Sequence, residues 1–159
     1  MKTEFDILNA SILVVDDQVV NVQLLEQLLG ETGYTRVRST MNPLEVAALH
    51  AEHRYDLILL DLKMPGMDGF QVMDELKKNN NDVYLPVIVL TAEPGHKLRA
   101  LEAGAKDFIS KPFDLLEVKT RIHNMLEVRL MYKKLENYSK LLEHAVHQGT
   151  AEIDEARKQ

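Results

Sequence analysis

Three carboxylate side chains follow directly after apolar runs in this chain. Asp16 and Asp17 come after Ser11–Val15 (SILVV), and Asp61 comes after Leu57–Leu60 (LILL). Short aliphatic runs bounded by turn signals are typical of strands that are buried on both faces of a parallel sheet. Because open α/β sheets bind ligands at the carboxyl ends of such strands, the three carboxylates are candidates for a functional site.

Two further polar residues end strand-like segments. Thr91 follows Pro86–Leu90 (PVIVL), and Lys111 follows Asp107–Ser110 (DFIS). Clustered carboxylates repel one another unless a cation is present, and oxygen-rich sites with few protein ligands suit Mg²⁺. A lysine adds positive charge, and a threonine hydroxyl adds a hydrogen-bond donor. A carboxylate nucleophile with a metal, a lysine and a threonine indicates phosphoryl transfer.

Each of these residues, taken singly, also has an ordinary structural explanation. Asp16, Asp17 or Thr91 could cap the helix that follows its strand, and a lysine before a proline is usually a solvated loop residue. Asp61 could likewise be a turn residue. Five such side chains at four strand ends on one sheet edge favour the functional interpretation.

Strand-like and helix-like segments alternate through the chain, and Val37–Thr40 is a fifth strand candidate. The alternation predicts a parallel sheet covered on both faces, with right-handed crossovers. We expect an α/β fold with a doubly wound five-stranded sheet in the flavodoxin-like order 2-1-3-4-5, followed by an extended C-terminal helix. Helices are predicted over Val20–Gly30, Pro43–His53, Gly69–Lys78 and Gly95–Ala103, and from about Asp114 onward.

The composition narrows the classes of function. Among 159 residues there is no cysteine, so disulfides and thiol chemistry are excluded. Residues 127–159 carry six basic and six acidic side chains, so the net charge of -6 lies in residues 1–126 and disfavours direct nucleic-acid binding. Neither a signal-peptide pattern nor an apolar run of membrane-spanning length is present, which predicts a cytoplasmic protein without membrane contact.

The C-terminal region predicts a helix that continues beyond its domain, because neither Pro nor Gly lies between Phe113 and Gly149. We expect residues 10–126 to form one domain and residues 127–159 to form a coiled-coil linker with one stutter. Such a helix must pair with another chain or fray, so we predict a homodimer through it, with a disordered end as the alternative. The apolar stripe consists of Leu135, Tyr138, Leu142, Val146, Gly149, Ile153 and Ala156.

The six histidines do not predict a metal site. The pairs His50/His53 and His144/His147 have the spacing i, i+3, but carboxylates in a suitable register are scarce. We interpret both pairs as solvated helix faces.

Four motifs cover the ends of the predicted strands: ILVVDD (Ile12–Asp17), LLDLKMPGMDG (Leu59–Gly69), VIVLTA (Val87–Ala92) and GAKDFISKP (Gly104–Pro112). Through these motifs, residues 10–126 resemble the receiver domain of two-component response regulators. The resemblance implies that Asp61 accepts a phosphoryl group from a phosphohistidine of a sensor histidine kinase. It implies a signalling phosphoacceptor, which catalyses only its own phosphotransfer and autodephosphorylation, rather than a turnover enzyme.

The resemblance also implies a Mg²⁺ site. Asp17 and Asp61 would ligate the ion directly, together with the backbone carbonyl of Lys63. Asp16 would act through a water molecule.

Further roles implied by the resemblance concern phosphoryl binding and switching. Thr91 and Lys111 would bind the phosphoryl oxygens, and the peptide bond from Lys111 to Pro112 is expected to be cis. The family's switch aromatic falls on Phe108, for which packing in the core is the alternative role.

Two charged residues are expected to tune the lifetime of the phosphorylated state. Lys63 lies two positions after Asp61, and Glu93 lies two positions after Thr91. Their opposite charges could pair across the mouth of the site and affect an attacking water molecule. Two solvated loop charges remain an equally open interpretation.

The receiver-like region with its long helix also resembles the N-terminal part of regulators whose helical linker leads to an HD-GYP cyclic-di-GMP phosphodiesterase or another output domain. The chain itself has no helix-turn-helix, phosphohydrolase or diguanylate cyclase motif. A receiver-like interaction module that signals without phosphorylation is the main alternative. A phosphatase of the same fold is a weaker one, because no additional base is evident.

Overall fold

The computed structural model describes residues 7–79 and 86–158, with side chains described for residues 7–78 and 86–146. Its centre is a parallel five-stranded sheet in the order β2-β1-β3-β4-β5, which confirms the predicted fold. The strands are β1 (Ser11–Val15), β2 (Arg36–Thr40), β3 (Leu57–Asp61), β4 (Val87–Thr91) and β5 (Asp107–Ser110). The helices are α1 (Val19–Thr32), α2 (Val46–His53), α3 (Gly69–Asn79), α4 (His96–Glu102) and α5 (Leu115–Lys158).

The core lies on both faces of the sheet, because β1, β3 and β4 are buried along their whole length. Successive side chains of a strand point to opposite faces. In β3, Leu57 and Leu59 pack against α1 and α5, while Ile58 and Leu60 pack against α2, α3 and α4. This two-sided burial explains why the central strands are continuous aliphatic runs.

The segment before α2 differs from the predicted single helix. Asn42 caps it as expected, since its Oδ1 accepts a hydrogen bond from the backbone N–H of Leu44 at 3.0 Å. The first turn, Pro43–Glu45, is nevertheless a 3₁₀ helix, and the backbone N–H of Glu45 donates to the carbonyl of Asn42 at 3.3 Å. Such tighter turns are frequent where a helix begins.

The interpretation of His50 as a solvated residue is wrong. Its side chain is only 4% exposed, and its Nδ1 accepts a hydrogen bond from the backbone N–H of Tyr55 at 3.2 Å. The two rings also stack, with 6.1 Å between their centroids. His50 therefore joins the last turn of α2 to the segment that enters β3.

Contacts between α5 and the sheet extend to Lys133. Asp56, at the start of β3, is 4% exposed and lies 2.5 Å from Lys133 Nζ and 3.8 Å from Arg129 Nε. The same carboxylate accepts a hydrogen bond from the backbone N–H of Ser11 at 3.0 Å. Beyond this anchor α5 continues to Lys158.

Within residues 7–79 and 86–158, no helix is both long enough and apolar enough to cross a membrane.

Candidate functional site

The parallel register brings the ends of the strands to one edge of the sheet. Val15 pairs with Leu60 across β1 and β3, and Asp61 pairs with Leu90 across β3 and β4. The residues that follow β1 therefore lie beside the end of β3. This placement comes from the strand order, in which β1 and β3 are neighbours although they are distant in sequence.

Asp16, Asp17 and Asp61 form one acidic cluster. One carboxylate oxygen from each residue lies within 4.8 Å of the others. Asp16 and Asp61 are buried, whereas Asp17 is partly exposed. Asp16 Oδ1 also accepts a hydrogen bond from the backbone N–H of Gln18 at 2.9 Å, so it shapes the turn into α1 as well.

Lys111 projects into the acidic cluster. Its Nζ lies 3.0 Å from Asp61 Oδ1 and 3.2 Å from Asp16 Oδ2, and its side chain is 19% exposed. The backbone N–H of Lys111 donates to the carbonyl of Thr91, and the bond from Lys111 to Pro112 is cis, as the resemblance implied. Lys111 is thus a fixed charge of the site and not a solvated loop residue.

The surroundings of Asp61 disfavour its ionised form in the protein without metal. Burial, and to a lesser degree the charge of Asp16, raise the pKa of Asp61 to about 6, although Lys111 acts in the opposite direction. With all three carboxylates ionised, the cluster and Lys111 would carry a formal charge of -3 + 1 = -2. A pocket of oxygen ligands with this charge fits a divalent cation such as Mg²⁺.

A cavity of about 190 Å³ opens above Asp61. Thr91 is buried in its wall, and its hydroxyl contacts the backbone of Glu93. The hydroxyl oxygen accepts a hydrogen bond from the backbone N–H of Glu93 at 3.0 Å and lies 3.3 Å from the Glu93 carbonyl. Thr91 therefore does not cap α4, which begins at His96 after the N-cap residue Gly95.

Lys63 and Glu93 form an ion pair at the mouth of this cavity, as their opposite charges had suggested. Both line the cavity with Asp61, and the backbone N–H of Lys63 lies 3.4 Å from Asp61 Oδ1. Their effect on the lifetime of a phosphorylated state stays a prediction.

Phe108 does not belong to the cluster around Asp61. Its half-buried ring lies between two cations, 4.5 Å from Lys97 Nζ and 5.3 Å from Arg121 Cζ. The ring thus packs at the surface between α4 and α5.

Sequence reasoning missed His96, whose Nε2 lies 3.1 Å from the carboxylate of Glu93. The spacing i, i+3 after Glu93 was the available signal. It also missed the close packing of Gly69 on the backbone that carries Asp61. A Cβ atom at Gly69 would lie 2.6 Å from the Asp61 carbonyl oxygen and 2.8 Å from Leu62 Cα.

Comparison with curated proteins places these features in a known context. The response regulator PleD of Caulobacter vibrioides is 38% identical over 130 residues, which are 80% of this chain and 28% of PleD. A Vibrio cholerae protein named "Probable cyclic di-GMP phosphodiesterase" is 31% identical over 151 residues, which are 94% of this chain and 34% of that protein. The chain thus spans about a third of the length of these relatives.

Solved structures show the same fold. One is the receiver domain of the sensor histidine kinase PA1611 from Pseudomonas aeruginosa PAO1, which has a magnesium ion in its active-site cleft. Its TM-score is 0.68 at 30% sequence identity, and the match covers 75% of this chain and 98% of that one. NtrX from Brucella abortus has a TM-score of 0.71 and 28% identity, covering 80% of this chain and 29% of NtrX. The family model of the response regulator receiver domain matches residues 12–123. Since this match covers well over half of the sequence, the chain belongs to the response regulator receiver domain family.

Proposed function

We propose that this chain is a phosphorylatable receiver that accepts a phosphoryl group on Asp61 from a sensor histidine kinase. The observation that carries the proposal is the contact of Asp61 Oδ1 with Lys111 Nζ at 3.0 Å, within a cluster of three carboxylates. Two members of this cluster, Asp17 and Asp61, line an open cavity together with Lys111. The nucleophile, the charge that stabilises a phosphoryl group and the space for that group all lie together.

The proposed reaction is a direct phosphoryl transfer. An ionised oxygen of Asp61 attacks the phosphorus of a phosphohistidine, the bond from phosphorus to the imidazole nitrogen breaks, and the imidazole takes up a proton. The product on this chain is an acyl phosphate. At about 4 Å and an effective dielectric of about 20, the charge of Lys111 attracts the phosphoryl group by about 4 kcal/mol before desolvation.

Mg²⁺ is the cofactor that the donor set fits. In this proposal Asp17, Asp61 and the backbone carbonyl of Lys63 hold the ion, and Asp16 contributes through a water molecule. The ion would supply positive charge against the phosphoryl oxygens. The acidic cluster supports this assignment.

The hydroxyl of Thr91 provides the switch. Once Asp61 is phosphorylated, the hydroxyl leaves the backbone of Glu93 and donates a hydrogen bond to a phosphoryl oxygen. Phe108 then moves inward, away from Lys97 and Arg121, and changes the surface formed by α4 and β5. The present contacts of the Thr91 hydroxyl and the Phe108 ring fit the unphosphorylated state.

We propose that α5 relays the conformational change to an output domain or a downstream protein. We further propose that the protein is a cytoplasmic homodimer that does not bind nucleic acid or membrane directly. The exposed apolar residues of α5 support pairing with a second copy. Their spacing continues the predicted stripe toward the domain, over Val128, Met131, Leu135, Tyr138 and Leu142. The Vibrio cholerae relative is named "Probable cyclic di-GMP phosphodiesterase" and extends well beyond the part that this chain matches, which supports an output domain that acts on cyclic di-GMP.

Binding of beryllofluoride, which mimics a phosphoryl group on a carboxylate, tests the proposal. In the presence of Mg²⁺ we expect it to raise the melting temperature of the wild type and to leave that of Asp61→Asn unchanged. The absence of any effect on the wild type would favour an interaction module that signals without phosphorylation. Transfer of labelled phosphate from a phosphorylated histidine kinase domain would then identify the donor class.

A further inference from the structure

The carboxylate of Glu93 is held from two sides. One oxygen, Oε1, contacts the ammonium group of Lys63, and the other, Oε2, lies 3.1 Å from His96 Nε2. The distance to His96 is that of an ion pair, and an ionised carboxylate can meet a ring nitrogen favourably only where that nitrogen carries a proton. The two partners therefore fix the plane of the carboxylate at the mouth of the Asp61 cavity.

His96 is the better-anchored of the two partners. Its side chain is 28% exposed, against 71% for Lys63. Its ring packs edge-on against Phe70, with 5.9 Å between the centroids and an angle of 83° between the planes. Arg99 covers the Phe70 ring, with Cζ 3.8 Å from the ring centroid. His96 thus has packing contacts that support its side of the carboxylate, whereas Lys63 is largely exposed.

We propose that His96 is a positioning residue for the lifetime of the phosphorylated state, because it holds Glu93 against Lys63 over the mouth of the cavity. The inference rests on the proposed phosphorylation of Asp61. Hydrolysis ends this state when a water oxygen attacks phosphorus and the bond from phosphorus to the Asp61 oxygen breaks. Inorganic phosphate leaves with the protons of the water, and Asp61 returns to a carboxylate. The ion pair restricts the approach of that water molecule.

Loss of the bond from His96 should accelerate hydrolysis by a modest factor. A partly exposed charge contact of this kind changes an equilibrium about two- to five-fold. The fraction of time for which the mouth is open should change by a similar factor, and the rate of autodephosphorylation should follow it.

Two variants separate the polar contact with Glu93 from the packing on Phe70. His96→Phe keeps an aromatic ring against Phe70 but cannot donate to Glu93, whereas His96→Gln keeps an N–H donor. Each protein is phosphorylated with acetyl phosphate and Mg²⁺, freed of donor, and followed by the decay of the acyl phosphate. We expect a half-life about two- to five-fold shorter in His96→Phe and close to the wild-type value in His96→Gln. Equal beryllofluoride affinities in all three proteins check that the Asp61 site is intact.

A double-mutant cycle with Glu93→Ala, which removes the acceptor, gives a second test. If His96 acts through Glu93, His96→Phe should cause no further acceleration once Glu93→Ala is present. Equal half-lives of the acyl phosphate in His96→Phe and the wild type would overturn the inference. So would a half-life shortened as much in His96→Gln as in His96→Phe, or additive effects of the two substitutions in the cycle. A wild type that is never labelled would instead overturn the proposed phosphorylation itself.

Discussion

Asp61 combines burial with a contact to a lysine, the kind of partner that a buried carboxylate usually has. Burial raises its pKa to about 6, and the contact with Lys111 holds one oxygen at 3.0 Å from an ammonium group. The first property makes the ionised form costly, and the second orients it. Neutralising Asp61 should therefore stabilise the protein, even though it removes the proposed nucleophile.

The pH dependence of Asp61→Asn tests this electrostatic cost. In the metal-free wild type the pKa of Asp61 rises from 3.8 to about 6 on folding. The cost of ionising it in the folded state is therefore absent below pH 3.8, grows as the pH rises from 3.8 to about 6, and is constant above that value. We expect Asp61→Asn to be more stable than the wild type by about 1–3 kcal/mol at pH 8, with a difference that vanishes near pH 4. Urea unfolding at both pH values measures it. A variant less stable at pH 8, or an offset independent of pH, would refute the explanation.

Much of the site at this scale could be predicted from the sequence, because apolar runs locate strand ends and a parallel sheet brings those ends together. The orientation of side chains could not. Thr91 is placed by β4, but the direction of its hydroxyl depends on the local backbone of Glu93. The burial of His50 depends on how α2 packs on Tyr55, which its helical spacing does not reveal.

At the scale of elements, the loop between β3 and α3 must turn tightly to hold Asp61. Gly69, the first residue of α3, lies against the backbone of Asp61 and Leu62, and its N–H donates to the Leu62 carbonyl at 2.9 Å. A side chain at this position would meet backbone rather than a flexible group. The start of α3 is thus in direct contact with the backbone that carries Asp61.

Gly69→Ala should therefore displace the backbone of Asp61. We expect it to lower the free energy of unfolding by about 1–3 kcal/mol, the usual cost of forced overpacking, and to slow phosphorylation. Gly30→Ala is the matched control, because an added Cβ at Gly30 meets nothing within 4 Å among the described residues and alanine favours the helix. Denaturant unfolding of both variants decides the matter, and equal stabilities would contradict the argument.

A second connection joins α5 to the opposite edge of the sheet. Lys133→Met keeps most of the apolar stem but removes the charge that lies 2.5 Å from the buried Asp56. Because Ser11 and Arg129 remain close to Asp56, we expect the free energy of unfolding to fall by about 1–3 kcal/mol, less than the full cost of an unpaired buried charge. The control is Lys134→Met at the next residue of α5, whose side chain is exposed. This variant should change the free energy of unfolding by less than about 0.5 kcal/mol. Thermal unfolding that does not distinguish the two variants would rule out the anchor.

The elements themselves were predictable because length, apolar period and turn residues agree along the chain. The anchor of α5 was not. Asp56 and Lys133 are 77 positions apart in sequence, and their contact depends on the angle at which α5 crosses the sheet. Likewise, the 3₁₀ turn at Pro43–Glu45 reflects local hydrogen bonding that hydrophobic spacing cannot distinguish from an α-helical turn.

At the scale of the whole molecule, the main feature is the length of α5, which continues as a helix to Lys158. With 44 residues it is about 66 Å long at a rise of 1.5 Å per residue. Leu135, Tyr138 and Leu142 are between 51% and 67% exposed, which is unfavourable for a helix that stays alone in water. Pairing with a second copy would bury this stripe.

Substitutions within the full chain test the dimer better than truncation, since removing residues 127–159 would also remove Lys133 from Asp56. We expect the wild type to sediment as a dimer at micromolar concentrations and a Leu135→Glu/Leu142→Glu variant as a monomer. Lys140→Glu introduces the same type of charge at an exposed position off the stripe and should remain dimeric. A monomeric wild type, or a dimeric double variant, would contradict the pairing.

The central claim, that Asp61 is a phosphoacceptor, is tested most directly by the intact mass of the protein after incubation with acetyl phosphate and Mg²⁺. We predict a gain of one phosphoryl group in the wild type that disappears in Asp61→Asn and when Mg²⁺ is removed by chelation. The absence of a gain in the wild type, or an equal gain in Asp61→Asn, would contradict it.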